Sequence, residues 1–167
     1  MRIEYFQLID RIVDLDVSGG TIRTEAAVPQ ESTIFEGHFP GHPLMPGVLL
    51  IESMAQTAGW LIIGVNKFAK MPFLAAVKDA KLRTFVAPGT VLSLNAKLLH
   101  EGSGYAVTKA AALANGKAVC DAEITFRVLA FPEPSMRKAM EEWATRLAYP
   151  IQALANGRRP PRCLDHR

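Results

Sequence analysis

Residues Phe35 to Gln56 read F-E-G-H-F-P-G-H-P-L-M-P-G-V-L-L-I-E-S-M-A-Q, and this stretch decides the fold. Its first half, Gly37 to Gly47, is a loop. Pro40, Pro43 and Pro46 fix φ and remove backbone donors, which rules out a regular helix or a central strand. From Val48 to Val65 the chain is almost wholly apolar and free of proline, so it reads as a helix buried on nearly every side. Pro46 and Gly47 stand at its start, where a missing N–H and a bare backbone are tolerated. Between Pro43 and Val65 there is one charged residue, Glu52. A lone carboxylate on such a helix is costly unless it is partnered or used. His38 lies in the loop before it. A loop histidine, a helix N-terminus with free N–H groups and a glutamate on that helix are the ingredients for moving protons beside a polarised carbonyl. Taken singly, a loop histidine is usually solvated and a helix glutamate usually faces water, so spacing alone leaves both readings open.

The pattern G-H-F-P-G-x-P-x-x-P-G-V-L-x-x-E-x-M-A-Q, from Gly37 to Gln56, resembles the signature of the 3-hydroxyacyl-acyl-carrier-protein dehydratases of FabZ type. The resemblance extends over about Leu8 to Leu129, more loosely at Ala80 to Gly89 and Gly116 to Phe126. It implies an α+β hotdog fold, in which a curved antiparallel sheet wraps one long central helix. It implies that His38 and Glu52 are the catalytic pair, His38 as base at C2 and Glu52 as acid at the C3 hydroxyl. It places the Gly47 backbone N–H on the thioester carbonyl, with Val48 and Phe39 also against substrate and Leu44 and Met45 as further tunnel walls. The family's site forms across a two-fold dimer, so the expectation is a homodimer, or a trimer of dimers as a homohexamer, with shared sites. The partner implied is acyl carrier protein, which is acidic. Lys78, Lys81 and Arg83 are the candidates to meet it. No metal or organic cofactor is expected.

Composition agrees with a soluble enzyme. The chain has 167 residues, about half of them hydrophobic, enough for one domain with a real core. Met1 to Leu8 is mixed and charged and reads as no signal peptide. The Val48–Val65 run is long enough to raise a membrane-spanning reading, but Glu52, Ser53, Gln56 and Thr57 within it favour a core helix. Cys120 and Cys163 are far apart and differently placed, so a reducing cytoplasm and no disulfide are expected. His38 and His42 stand four apart in a proline loop rather than on a helix face, a poor metal pair. The net charge of +3 resides in Gly157 to Arg167, which has four arginines and one aspartate; the rest of the chain balances at fifteen basic and fifteen acidic residues. The basic balance is a tail property and does not argue for nucleic-acid binding.

In chain order, a short helix or turn near the N-terminus precedes strands at Val13–Val17 and Thr21–Val28, joined by Ser18-Gly19-Gly20. Pro29 to Ser32 reads as a turn, and Thr33 to Phe35 leads into the proline loop. After the helix, Pro72–Lys78, Lys81–Val86, Val91–Leu99, Tyr105–Ala114 and Lys117–Leu129 read as extended, with Asn115-Gly116 a strong hairpin signal. Ser135 is a candidate cap for a helix to about Leu147, with Met136, Met140, Trp143 and Leu147 in one apolar stripe. The organisation expected is residues 1–131 as the dehydratase domain, 132–156 as a helical extension foreign to typical relatives, and 157–167 as a basic disordered tail. The rival readings are a hotdog thioesterase, a non-catalytic acyl-binding hotdog, and a relative that also isomerises the double bond. That relative carries aspartate where Glu52 stands. The extension and the loose match at Ala80–Gly89 point toward specialised lipids such as lipid A acyl chains; chain length is left open.

Overall fold

The apolar run after the proline loop forms a helix from Gly47 to Val65, and the rest of the chain wraps it. In the computed structural model residues 1–150 are described. A 3-10 turn at Ile3–Tyr5 leads to strands β1 (Arg11–Asp16) and β2 (Thr21–Ala27), then a short helix α1 (Thr33–Gly37) and the long helix α2 (Gly47–Val65). Strands β3 (Lys70–Leu82), β4 (Val91–Gly102), β5 (Tyr105–Ala114) and β6 (Lys117–Ala130) follow, and helix α3 (Pro134–Arg146) closes the described chain. The six strands form one antiparallel sheet in the order β1-β2-β4-β5-β6-β3. This is the α+β hotdog architecture: α2 lies across strands β2 to β6.

Alternation makes the sheet. In β4, Leu92, Leu94 and Ala96 are buried while Val91 and Lys97 are exposed, the period of a strand with one covered face. The covered face meets Leu50, Met54, Leu61 and Ile62 of α2, each 2 % exposed or less. Burial of each such side chain contributes roughly 1.5–3 kcal/mol. The helix also buries two hydroxyls without penalty. Thr57 Oγ1 donates to the Ser53 carbonyl at 3.0 Å and lies 2.8 Å from Thr24 Oγ1 on β2. Helix α2 passes a length-and-hydropathy test for a membrane span, yet about two thirds of it is buried inside the protein. Asn115 and Gly116 take φ values of 50° and 75°, the paired left-handed geometry of a two-residue hairpin.

Strand β3 ends the sheet. It pairs with β6 on one side only. From Leu74 onward every residue of it is exposed, among them Leu74, Val77 and Leu82. Phe85, just past the strand, is 81 % exposed. An apolar edge with unpaired N–H and C=O groups is a template for a further strand.

Four local readings differ from the structure. Thr33 to Phe35 is not plain loop but the start of α1, capped by the Ser32 hydroxyl, which accepts the Ile34 N–H at 3.2 Å. One turn is too short to show a period. The two extended segments after α2 are one strand, kinked where pairing shifts between Lys78 and Lys81 and Asp79 takes φ 52°. Beyond Leu82 that second segment is no longer strand. Helix α3 starts at Pro134, with Glu133 as its N-cap residue, rather than being capped by Ser135. Proline suits the first helical position because its fixed φ is already helical and its missing N–H has no partner to lose. The expected basic tail, and the end of the expected extension, lie outside the described residues.

Helix α3 docks through the expected stripe. Leu147 and Ala144 are buried, and Met140 and Trp143 pack against the core. Trp143 stands edge-on to Trp60 of α2 at 5.7 Å, and Tyr149 packs on both Trp60 and Phe68. The Tyr149 hydroxyl donates to the Trp60 carbonyl at 3.3 Å, and the Leu147 carbonyl accepts the Ile12 N–H at 2.9 Å.

Candidate active site

The proline loop is built to present His38. Its N–H donates to the Ile34 carbonyl at 3.0 Å, and its carbonyl accepts the Leu44 N–H at 2.9 Å. Phe39 and His42 exchange two further backbone bonds, closing the loop on itself. The ring Nδ1 lies 3.1 Å from the Leu44 carbonyl oxygen. A carbonyl can only accept, so the bond requires hydrogen on Nδ1, and in the neutral ring the open lone pair is then on Nε2. The ring also stacks on Phe39 at 4.2 Å.

His38 lines a cavity of about 440 Å3 together with Phe39, Leu44, Met45 and Gly47. Gly47 is the first residue of α2, and no side chain caps the helix. The Pro46 carbonyl accepts from Leu49 and Leu50, while the N–H groups of Gly47 and Val48 have no partner among the described residues. A free donor, the Gly47 N–H, and the positive end of the helix dipole therefore stand at the His38 cavity. A Cβ at Gly47 would lie 2.5 Å from a Leu82 methyl, so a larger residue would displace the Leu82 side chain, which lines the same cavity. Val48 is 70 % exposed and lines neither this cavity nor the next.

Glu52 lines a second cavity of about 330 Å3. Glu52, Gln56, Gly59 and Ile63 recur at helical spacing and form the cavity face of α2. Gln56 is the residue that sequence reasoning passed over. Its Oε1 accepts the Leu8 N–H at 3.1 Å, which orients the amide. Its Nε2 then donates to the Phe6 carbonyl at 2.8 Å and to Glu52 Oε1 at 3.1 Å. The i, i+4 relation to Glu52 was the signal that could have found it. The arrangement holds one carboxyl oxygen and leaves Oε2 without a partner among the described residues.

Within one chain, then, His38, Phe39 and Gly47 come together and Glu52 stands apart in another cavity. Lys78, Lys81 and Arg83 are exposed; Arg83 borders the His38 cavity and pairs with Asp121 at 2.5 Å. No cluster of three or more His, Cys, Asp or Glu side chains is placed to hold a metal among the described residues.

An antiparallel sheet wrapped on one long helix, with a histidine loop at the helix start and a carboxylate on its cavity face, defines a hotdog protein with a histidine and a carboxylate on the walls of its cavities. The FabA-like domain model matches residues 2–123, and the chain belongs to that family, among its FabZ-type dehydratases. It is 41 % identical over 121 residues to the FabZ 3-hydroxyacyl-[acyl-carrier-protein] dehydratase of Lactiplantibacillus plantarum, covering 72 % of this chain and 82 % of that protein. It is 38 % identical over 123 residues to the FabZ of Clostridium acetobutylicum, covering 73 % and 86 %. Among solved structures, a conserved protein from Pseudomonas aeruginosa superposes with a TM-score of 0.60 at 22 % identity, over 75 % of this chain and 91 % of that one, a likeness of fold.

Proposed function

We infer that this chain is a 3-hydroxyacyl-acyl-carrier-protein dehydratase of fatty acid biosynthesis, and that His38 and Glu52 carry the reaction. The observation that supports their roles best is the Leu44 carbonyl on Nδ1, which leaves Nε2 of His38 as the open basic atom beside the free N–H groups at the start of α2.

His38 Nε2 removes the C2 proton. The electron pair moves toward the thioester carbonyl, whose oxygen gathers negative charge. The Gly47 N–H and the helix dipole stabilise that oxygen. As the C2–C3 double bond forms, the C3–O bond breaks, and Glu52 delivers the proton with which the hydroxyl leaves as water. The product is the trans-2-enoyl thioester. Histidine then returns its proton to solvent and the carboxylate regains one, so the cycle is balanced.

His38 and Glu52 line different cavities in one chain, and the exposed apolar edge strand β3 is next to the His38 cavity through Leu82. These features support a two-fold homodimer in which Glu52 of one protomer completes the His38 site of the other. A trimer of such dimers is the higher assembly. Phe39 and Val48 complete the substrate contacts at the join. Acyl carrier protein delivers the substrate in the cytoplasm, and Lys78, Lys81 and Arg83 are the cations proposed to meet its acidic surface. Residues 1–131 form the catalytic unit, and the helical extension after them suits a specialised acyl chain such as those of lipid A.

The test is to follow loss of water from 3-hydroxyacyl-acyl carrier protein by mass. His38→Ala and Glu52→Gln should each lower the rate by ~10²-fold or more. Near-wild-type rates in either variant would remove that residue from the mechanism. Release of free acid would make the protein a thioesterase instead.

A further inference from the structure

The cavity face of α2 runs from Glu52 to Ile63, eleven residue steps, or about 16 Å of helix at ~1.5 Å per residue. Beyond Glu52, Gln56 and Gln7 its lining is apolar or aromatic, with Ile63, Trp60 and Phe126 among the walls. The N-terminal turn and β3 add further wall, and one part comes from outside the catalytic unit. Met140 and Trp143 of α3 both line the cavity. We propose that α3 is the floor of the acyl pocket and that Met140 and Trp143 set the length of acyl chain the enzyme accepts. This rests on the dehydratase reading above, because that reading fixes the direction of the chain. With the thioester carbonyl at Gly47 and C2 at His38 of one protomer, and the C3 hydroxyl at the Glu52 supplied by the other, the carbons beyond C3 continue past that Glu52 along the α2 face of the protomer that supplies it, toward the same protomer's α3.

The floor is fixed rather than loosely laid on. Trp143 packs edge-on against Trp60, Ala144 is fully buried, and the segment that follows is tied to β1 by the Leu147 carbonyl and to α2 by the Tyr149 hydroxyl. A chain that is too long therefore meets a wall that cannot swing away cheaply. The helix wall has room at Gly59, which lines the same cavity. A Cβ there would meet nothing nearer than Pro72 Cγ at 3.7 Å, so a side chain can start from this position without a clash.

The test is a chain-length series of 3-hydroxyacyl-acyl carrier protein substrates, read as the ratio of kcat/KM for long over short chains. Met140→Ala and Trp143→Ala should raise that ratio on the order of tenfold, since one buried methylene is worth about fourfold. Gly59→Leu should lower it by a similar factor. Arg137→Ala, which removes an exposed ion pair from the same helix, should leave the ratio unchanged. If the Trp143 variant does not fold, Met140→Ala and Gly59→Leu decide the matter. A wild-type ratio in both, with turnover retained, overturns the floor and leaves the dehydratase reading standing. Absence of turnover in the wild-type protein at every chain length refutes the dehydratase reading and the floor with it.

Discussion

If each site takes His38 from one protomer and Glu52 from its partner, two dead variants should repair one another. His38→Ala and Glu52→Gln homodimers each lack one group at both sites, and each should be down by ~10²-fold or more. In a mixed dimer, one site inherits both substitutions. The other inherits an intact His38 from the Glu52→Gln chain and an intact Glu52 from the His38→Ala chain. The separation of the two residues into different cavities of one chain makes this bookkeeping possible. Random pairing puts about half of all protomers in mixed dimers with one good site of two, so activity should recover to about one quarter of the wild-type rate. The assay is to mix the two variants in equal amounts, dissociate and reassociate them with mild denaturant, and measure dehydration per protomer. Differential tags report the mixed dimer directly. Recovery should track that fraction. A mixed population that is fully exchanged but no more active than its parents would refute the shared site and place His38 and Glu52 in one chain's chemistry.

Three further outcomes follow from particular contacts. Gln56→Leu removes the donor to Glu52 and the ties to Leu8 and Phe6, so kcat should fall and urea unfolding should show a loss of about 1–3 kcal/mol; an unchanged kcat would leave Gln56 with a structural part only. Val77→Asp sets a charge on the exposed face of the edge strand β3 and should halve the mass seen by sedimentation, whereas an unaltered mass would move the dimer interface elsewhere. Burial, reinforced by the Asp121 carboxylate and partly offset by Arg83, pushes the Cys120 thiol up to about 11. The unfolded chain therefore releases this proton first as pH rises from about 9 toward 11, so the native state loses stability across that window and keeps it below. Burial pushes Tyr149 in the same direction. Thermal unfolding should show a lower Tm at pH 10 than at pH 7, and Cys120→Ala should recover part of the difference; an identical drop in that variant would remove Cys120 as a cause.

The sequence carried the candidate site further than the walls around it. That His38, Gly47 and Glu52 would stand around the start of one long helix was legible because prolines, a helix start and a solitary charge are local signals, and because the motif that holds them is long. The strands of the hairpins were legible from alternation and from Asn115-Gly116. The far part of β3 was harder to read, since Leu74 onward is exposed on an edge and follows no burial period. That Gln56 bridges Glu52 to residues 6 and 8 was not legible, since those contacts join positions some fifty residues apart. Nor was the meeting of Met140 and Trp143 with the Glu52 cavity: the apolar stripe showed that α3 docks, but a stripe does not say what it docks against.

Gly64 near the end of α2 is shaped to its neighbour. A Cβ there would collide with the Tyr149 hydroxyl and crowd a methyl of Val17. The docked segment and the bare position on the helix are therefore one trait written at two places in the chain. A chimera that transplants residues 132–150 onto a shorter relative inherits a misfit wherever the recipient has a side chain at the matching helix position. Conversely, Gly64→Ala should be far better tolerated alongside Tyr149→Phe than alone, because the smaller ring edge gives back part of the space. Exchange of pieces among such proteins is thus constrained by a single missing methyl group, some eighty-five residues away from the aromatic ring that occupies its place.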